Sequence, residues 1–261
     1  MAQDIFLPNL LYFGFFLIPI FFIMNYLEIH QISKVMKSLS RMFIQLMLVG
    51  GYLHYILVLN NPFINIAYLI FMSSAATITV VRDVKIHNIK FFLTTALAII
   101  TPLILNLTLF SVLLLKLEDK FNAMYLIPLS GMILGNTVNG MIVTINDFLK
   151  SMRVNEESYL LSLSFGATKF EALKPFVSSA VSLAFKPSVA NMGNVGLVSL
   201  PGMMTGQILG GSLPIVAIKY QIAIMTALFV SRFLSSFLLM IFCSIQFFNG
   251  YSLFTQNKKH I

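Results

Sequence analysis

Residues 156–175, EESYLLSLSFGATKFEALKP, carry the most definite chemistry in the chain. Glu157 opens an amphipathic stretch that predicts a helix from about Asn155 to Ser164. Gly166 then supplies a position where the backbone turns at no steric cost, and Thr168-Lys169-Phe170-Glu171 reads as a capping box for a second, short helix ending by Pro175. Two helices held at an angle make a rigid knob with an exposed face, the kind of feature a nucleotide-driven subunit needs to push against. The residues alone leave a plainer alternative open, a surface loop with local helix.

Three further sets of residues point to packing or passage rather than catalysis. Gly202, Gly206 and Gly210 recur every fourth residue, as do Gly131 and Gly135, a spacing that lets helix backbones approach closely in lipid. These are expected contact faces, between spans of one chain in the first instance or else across a dimer. Asn136, Thr137, Asn139, Thr205, Gln207, Ser73, Ser74, Thr77 and Thr79 fall within apolar runs. Polar groups there must find partners, so they line either a bundle core or a watery path. Pro201 marks a break in its run, and Met132, Met203 and Met204 offer soft sulfur to a metal, or fill irregular packing. His54 faces a pathway or hydrogen-bonds within the bundle. Arg232 has no carboxylate at similar depth, so it snorkels, contacts carbonyls or meets an anionic ligand.

No GxxxxGK[ST] phosphate loop, HExxH or GxSxG string occurs, and the four histidines are scattered. The chain therefore reads as a non-enzyme, with no cofactor of its own and no carboxylate or imidazole set for iron. Cys243, the single cysteine, gives no disulfide framework and is expected in the core or facing lipid.

The elements that must position these residues follow from composition. Of 261 residues, 58% are hydrophobic and 10% charged, and the mean hydropathy is +0.88, which excludes a soluble enzyme, a disordered tail and a nucleic-acid module. Residues 5–27, 42–81, 91–115, 121–146, 187–218 and 233–257 lack Asp, Glu, Lys and Arg. Asn60-Asn61-Pro62 splits the second run into a helical hairpin, and a final helix starts near Pro214 or Tyr220 and reaches about Phe248. The expectation is an all-α, polytopic integral membrane protein of about seven transmembrane helices, a single permease domain over 1–261, with a cytoplasmic loop at 147–186. Seventeen Lys and Arg against nine acids give a net charge of +8, and their placement encodes topology. Asp4 precedes the first run while Lys34, Lys37 and Arg41 follow it, which puts the N-terminus outside and the C-terminus, ending Lys258-Lys259-His260, in the cytoplasm.

Glu157, Leu161, Gly166, Ala167 and Pro175 resemble the glutamate-alanine-glycine loop of ABC-transporter permeases, with a shorter distance from glycine to proline than the common importer pattern. More specifically, IPLSGMILGN at 127–136, GLVSLPGMMTGQILGG at 196–211 and Tyr220-Gln221-Ile222 resemble one family over nearly the whole chain. Arg41 with Gln45-Leu46 and Leu163-Ser-Phe-Gly-Ala-Thr168 are similar to its other recurring positions. It is the family of the bacterial iron-export ABC permease FetB and the plant aluminium-tolerance ABC permeases. The resemblance implies a permease subunit of an ATP-driven exporter. ATP would be held by a separate ATPase subunit, two permease chains would work together, and a metal ion such as iron would be the cargo. It also implies a plasma membrane, and the compact ends favour a bacterial inner membrane. A carrier or channel driven by an ion gradient, with no ATPase, is the rival of a different class, and a non-transporting scaffold is a third.

Overall fold

A computed structural model describes residues 9, 12, 14–116 and 121–255. Asp4 and most of the first run's leading residues, residues 117–120, and Lys258 to His260 lie outside them. The elements are α1 (Leu17–Tyr26), α2 (Ile32–Leu59), α3 (Pro62–Val84), α4 (Ile89–Thr108), a π-helical segment (Leu109–Leu114), α5 (Ala123–Val154), α6 (Glu156–Ser164), α7 (Lys169–Asn194), α8 (Gly202–Leu209) and α9 (Pro214–Gln246). The protein is all-α: among the described residues only isolated β-bridges occur. Among the described residues five helices are long and apolar enough to cross a membrane: α2, α3, α4 with its π extension, α5 and α9.

Local sequence explains the first turn-around. Asn60 ends α2 in the left-handed region at φ 38°, Asn61 caps α3 by accepting from Phe63 N, and Pro62 occupies the first helical position, where its missing N–H costs nothing. The hairpin is tied to the start of α5 by side chains. Asn60 Oδ1 accepts from Ala123 N at 2.8 Å, and fully buried Asn65 donates from Nδ2 to Phe121 O at 2.8 Å. Asn65→Leu removes that donor at depth and is expected to cost about 1–3 kcal/mol, read as a lowered melting midpoint in detergent.

Central in the bundle is α5, which packs against α3, α7 and α9, while α9 also packs against α4 and α7. Their shared core includes Val80, Phe91, Ile99, Met141, Ile145, Phe148, Leu173, Leu239 and Met240, each at most 1% exposed. Cys243 is in this core rather than facing lipid. Outward faces are rich in exposed Phe, Leu and Ile, as a hydrocarbon solvent requires. Along α2 no residue is buried, and Tyr52 OH meets Tyr68 OH of α3 at 2.6 Å.

Three sequence expectations are corrected. The span expected at 121–146 continues to Val154, so residues 147–154 belong to α5 and not to a loop. The second helix of the knob does not end by Pro175: α7 runs through Pro175 and Pro187 to Asn194. Pro175 is exposed, and so is Glu171, whose carbonyl loses its i+4 donor, so the loss falls on the outer face of the helix. The run 187–218 is not a span. Gly196, at φ 88°, turns the chain after α7, eight-residue α8 reaches only about 12 Å along its axis, and Gly211, at φ 98°, turns it again before Pro214 opens α9. Hydrocarbon about 30 Å thick is beyond α8, and it is α7, 26 residues long, that runs back along α5 and α9.

Candidate functional site: an elbow and a buried arginine

The knob is an elbow between α6 and α7. Phe165 ends α6, Gly166 takes φ 89° with no atom within 4 Å of where a Cβ would stand, and Thr168 caps α7. Thr168 N and Oγ1 both donate to Glu171 Oε2, at 2.8 and 2.6 Å, and Glu171 N donates back to Thr168 Oγ1 at 3.4 Å. The capping box is present as the spacing predicts. Glu157, Gly166, Thr168, Glu171 and Pro175 are all exposed and Ala167 is half-buried. Phe165 and Phe170 stand 83% and 62% exposed on either side of the turn.

Residues far along the chain brace the elbow, which sequence reading missed. Tyr159 is fully buried, donates its hydroxyl to Ser252 O at 2.8 Å, and packs at a tilt of 54° against Phe248, 5.5 Å between ring centroids. Lys169 Nζ lies 4.9 Å over the same Phe248 ring. The post-α9 segment thus fixes the elbow to the end of the last long helix.

Hydrogen bonds from the Thr168 side chain, then from its backbone, hold the Glu171 carboxyl below its ordinary pKa. A depressed value makes the cap strongest above the ordinary carboxylate pKa and weakens it as pH falls through the lowered one. Amide protection at 168–172 is therefore expected to fall on acidification in that window, and Glu171→Gln is expected to flatten the profile, measured by hydrogen exchange corrected for intrinsic rate.

At mid-bundle the structure brings together α5, α7 and α9. Arg232 is 8% exposed, and its only hydrogen bond runs from Nη1 to Ser188 Oγ on α7 at 2.9 Å. Its stem crosses α5 at Gly140, where an added Cβ would lie 2.6 Å from Cγ and 2.9 Å from Nε. Of the three options the sequence left for Arg232, snorkelling and carbonyl contact are not taken. Gly140 is the close approach that the glycine ladders pointed to in type but not in place. A Cβ added at Gly131 would meet Met72 Cε at 3.4 Å, one at Gly135, Gly202 or Gly206 would meet nothing among the described residues within 4 Å, and one at Gly210 would meet only carbonyls of its own turn. The expected intrachain contact is not made at Gly135, Gly202 or Gly206.

Four of these polar groups are satisfied by their own helix. Thr77 donates to Ser73 O, Thr79 to Ala75 O, Thr205 to Pro201 O and Asn136 to Met132 O. Asn139 and Gly135 are exposed on α5 one turn apart, a polar, small-residue strip outside the bundle core. Gln207 Oε1 is buried without a hydrogen-bond partner. Met132 and Met203 pack on a small apolar cluster around Phe110, Leu129 and Ile224, and Met204 is buried. His54 is exposed and sits edge-on to Tyr55. Among the described residues no group of three His, Cys, Asp or Glu is placed to hold a metal.

The model of the family described as Uncharacterised protein family (UPF0014) matches residues 7–248. The chain belongs to the UPF0014 family. Among its UPF0014 relatives is the Probable iron export permease protein FetB of Escherichia coli K12, 30% identical over 84% of this chain and 83% of that one. Protein ALUMINUM SENSITIVE 3 of Arabidopsis thaliana is 31% identical over 83% of this chain and 78% of its own. The UPF0014 membrane protein slr1647 of Synechocystis is 31% identical over 80% and 81%. No solved structure matches the chain. Family and long apolar helices together establish a multi-pass membrane permease.

Proposed function

We propose that this UPF0014 chain is the permease subunit of an ATP-driven ABC exporter, that a separate ATPase subunit docks on the elbow, and that the cargo is a metal species such as iron. The observation that carries the coupling is the continuity of α7: its capped start forms the elbow, and its far part, at Ser188, is bonded to Arg232 in the bundle interior. A push on the exposed Phe165–Phe170 face is transmitted along a 26-residue rod packed on α5 and α9. The metal comes from the name of the relative FetB, and nothing in the donor set among the described residues argues for a bare hard cation.

Charge favours the elbow end as cytoplasmic. Arg82, Lys85, Lys90, Lys150, Arg153, Lys169 and Lys174 cluster at the end of the bundle that holds the elbow, as positive-inside placement in a bacterial plasma membrane requires. Two copies are supported by the strip of Gly135 and Asn139, exposed at a depth where lipid gives a polar amide no partner. A second copy across that strip encloses a path. Purification from the native membrane is expected to bring down a soluble protein with a GxxxxGK[ST] loop, and export is expected to stop on ATP depletion but not on collapse of the proton gradient. Uphill transport by the chain alone in vesicles would overturn the reading in favour of a gradient-driven carrier.

A further inference from the structure

We infer that Arg232, with Ser188 and Thr137, forms an oxyanion-binding site at mid-bundle, and that the permease takes its cargo there in an anionic form, as a phosphate-like or carboxylate species, rather than as a bare cation. The cargo half of this rests on the permease reading above. The binding half does not.

The guanidinium is desolvated, carries a full charge, and is met by one neutral hydroxyl. Its Nε is buried with no acceptor. A charge buried in this way is stable only when paired, and a planar fork of N–H donors matches an oxyanion. No carboxylate pairs with it among the described residues. Asp147, the acid nearest in sequence to Gly140 on α5, lies about 10 Å further along the helix axis, and its buried Oδ2 has no partner either.

A hydroxyl beside the arginine is the second observation. Thr137 stands three residues before Gly140 on the face of α5 that the arginine crosses, toward the end of the bundle away from the elbow, the direction in which the guanidinium reaches Ser188. It is 1% exposed, and its Oγ1 has no hydrogen-bond partner. A cation and a spare hydroxyl donor on two facing helices suit the several lone pairs of one oxyanion. Depth selects the source of that anion. Arg232 is about 27 Å along α9 from Pro214 and about 21 Å from Gln246, so the site is near the middle of the hydrocarbon and away from lipid headgroups.

The test uses the full chain, purified without an ATPase in a sugar-headgroup detergent, titrated at constant ionic strength with inorganic phosphate, sulfate or citrate, and with chloride as control. At least one oxyanion is expected to raise the melting midpoint and to give saturable heat in calorimetry, while chloride and ferrous chloride do neither. Arg232→Gln is expected to weaken binding at least about tenfold, and Thr137→Val several-fold without lowering the anion-free midpoint. Arg232→Lys is expected to fall between, because an ammonium lacks the fork. Overturning results are the absence of stabilisation by every soluble oxyanion, stabilisation only by added anionic phospholipid, or unchanged binding in a folded Arg232→Gln. Should that variant not fold, unchanged binding in Thr137→Val overturns the site equally. Loss of ATPase co-purification, by contrast, leaves these titrations untouched and counts only against the coupling reading.

Discussion

Gly166→Val is expected to reduce export to background while the chain still inserts in the membrane. Gly166 sits at φ 89°, a region that costs an ordinary L-residue about 1–2 kcal/mol and a β-branched one more. No atom lies within 4 Å of the added Cβ, so the backbone alone is strained, and it relieves itself by reorienting α6 against α7. An aromatic pair displaced from its partner by even a small angle loses its seat, because docking of a rigid knob depends on geometry rather than on the area it carries. Gly166→Asn is the control, since asparagine tolerates left-handed conformations, and it is expected to keep most of the activity. Comparison of export and ATPase co-purification for the two variants checks the argument. Full export by the valine variant would remove the elbow from the mechanism.

Gly140→Ala is expected to be the most damaging single methyl in the bundle. The new Cβ meets Arg232 Cγ at 2.6 Å, near the root of the side chain, where a change of the distal torsions gives no relief. Either α9 moves off α5 or the arginine leaves Ser188, and overpacking of this kind costs about 1–3 kcal/mol. Alanine at Gly131 faces only the flexible end of Met72, and alanine at Gly135 faces nothing of this chain, so both are expected to leave the melting midpoint of the isolated chain nearly unchanged. A double-mutant cycle of Gly140→Ala with Arg232→Ala is expected to show a coupling of about 0.5–3 kcal/mol, the second change relieving part of the first. Strict additivity would mean that the two residues do not share the strain.

Much of this was legible in one dimension. Charge-free runs gave α3, α4 and the start of α5 to within a turn, because a span must be free of unpaired charge over a length fixed by the bilayer, while Pro214 gave the start of α9, which carries Lys219 and Arg232. Asn60-Asn61-Pro62 gave the hairpin, and Thr168 with Glu171 gave the start of α7, because caps and prolines act on their own backbone neighbours. The same rule misled at 169–218. Lys174 and Lys186 removed α7 from the apolar runs, although both are exposed and the face with Leu173, Ala180, Val181 and Ala184 is buried. Counting charges along a chain does not say which way each one points. The uncharged stretch after Pro187 looked like a span because hydropathy does not register a left-handed glycine, and Gly196 is one.

The sequence by itself determined the solvent of this protein, its helical class, its family and the elbow's local geometry, since each depends on composition or on residues within a few positions of one another. Only the tertiary structure decided which glycine admits a neighbour, what Arg232 touches, and that the segment after α9 braces Tyr159. Those contacts join residues 44 to 93 positions apart. Their pairing is set by how helices cross in three dimensions, and no local pattern encodes a crossing point.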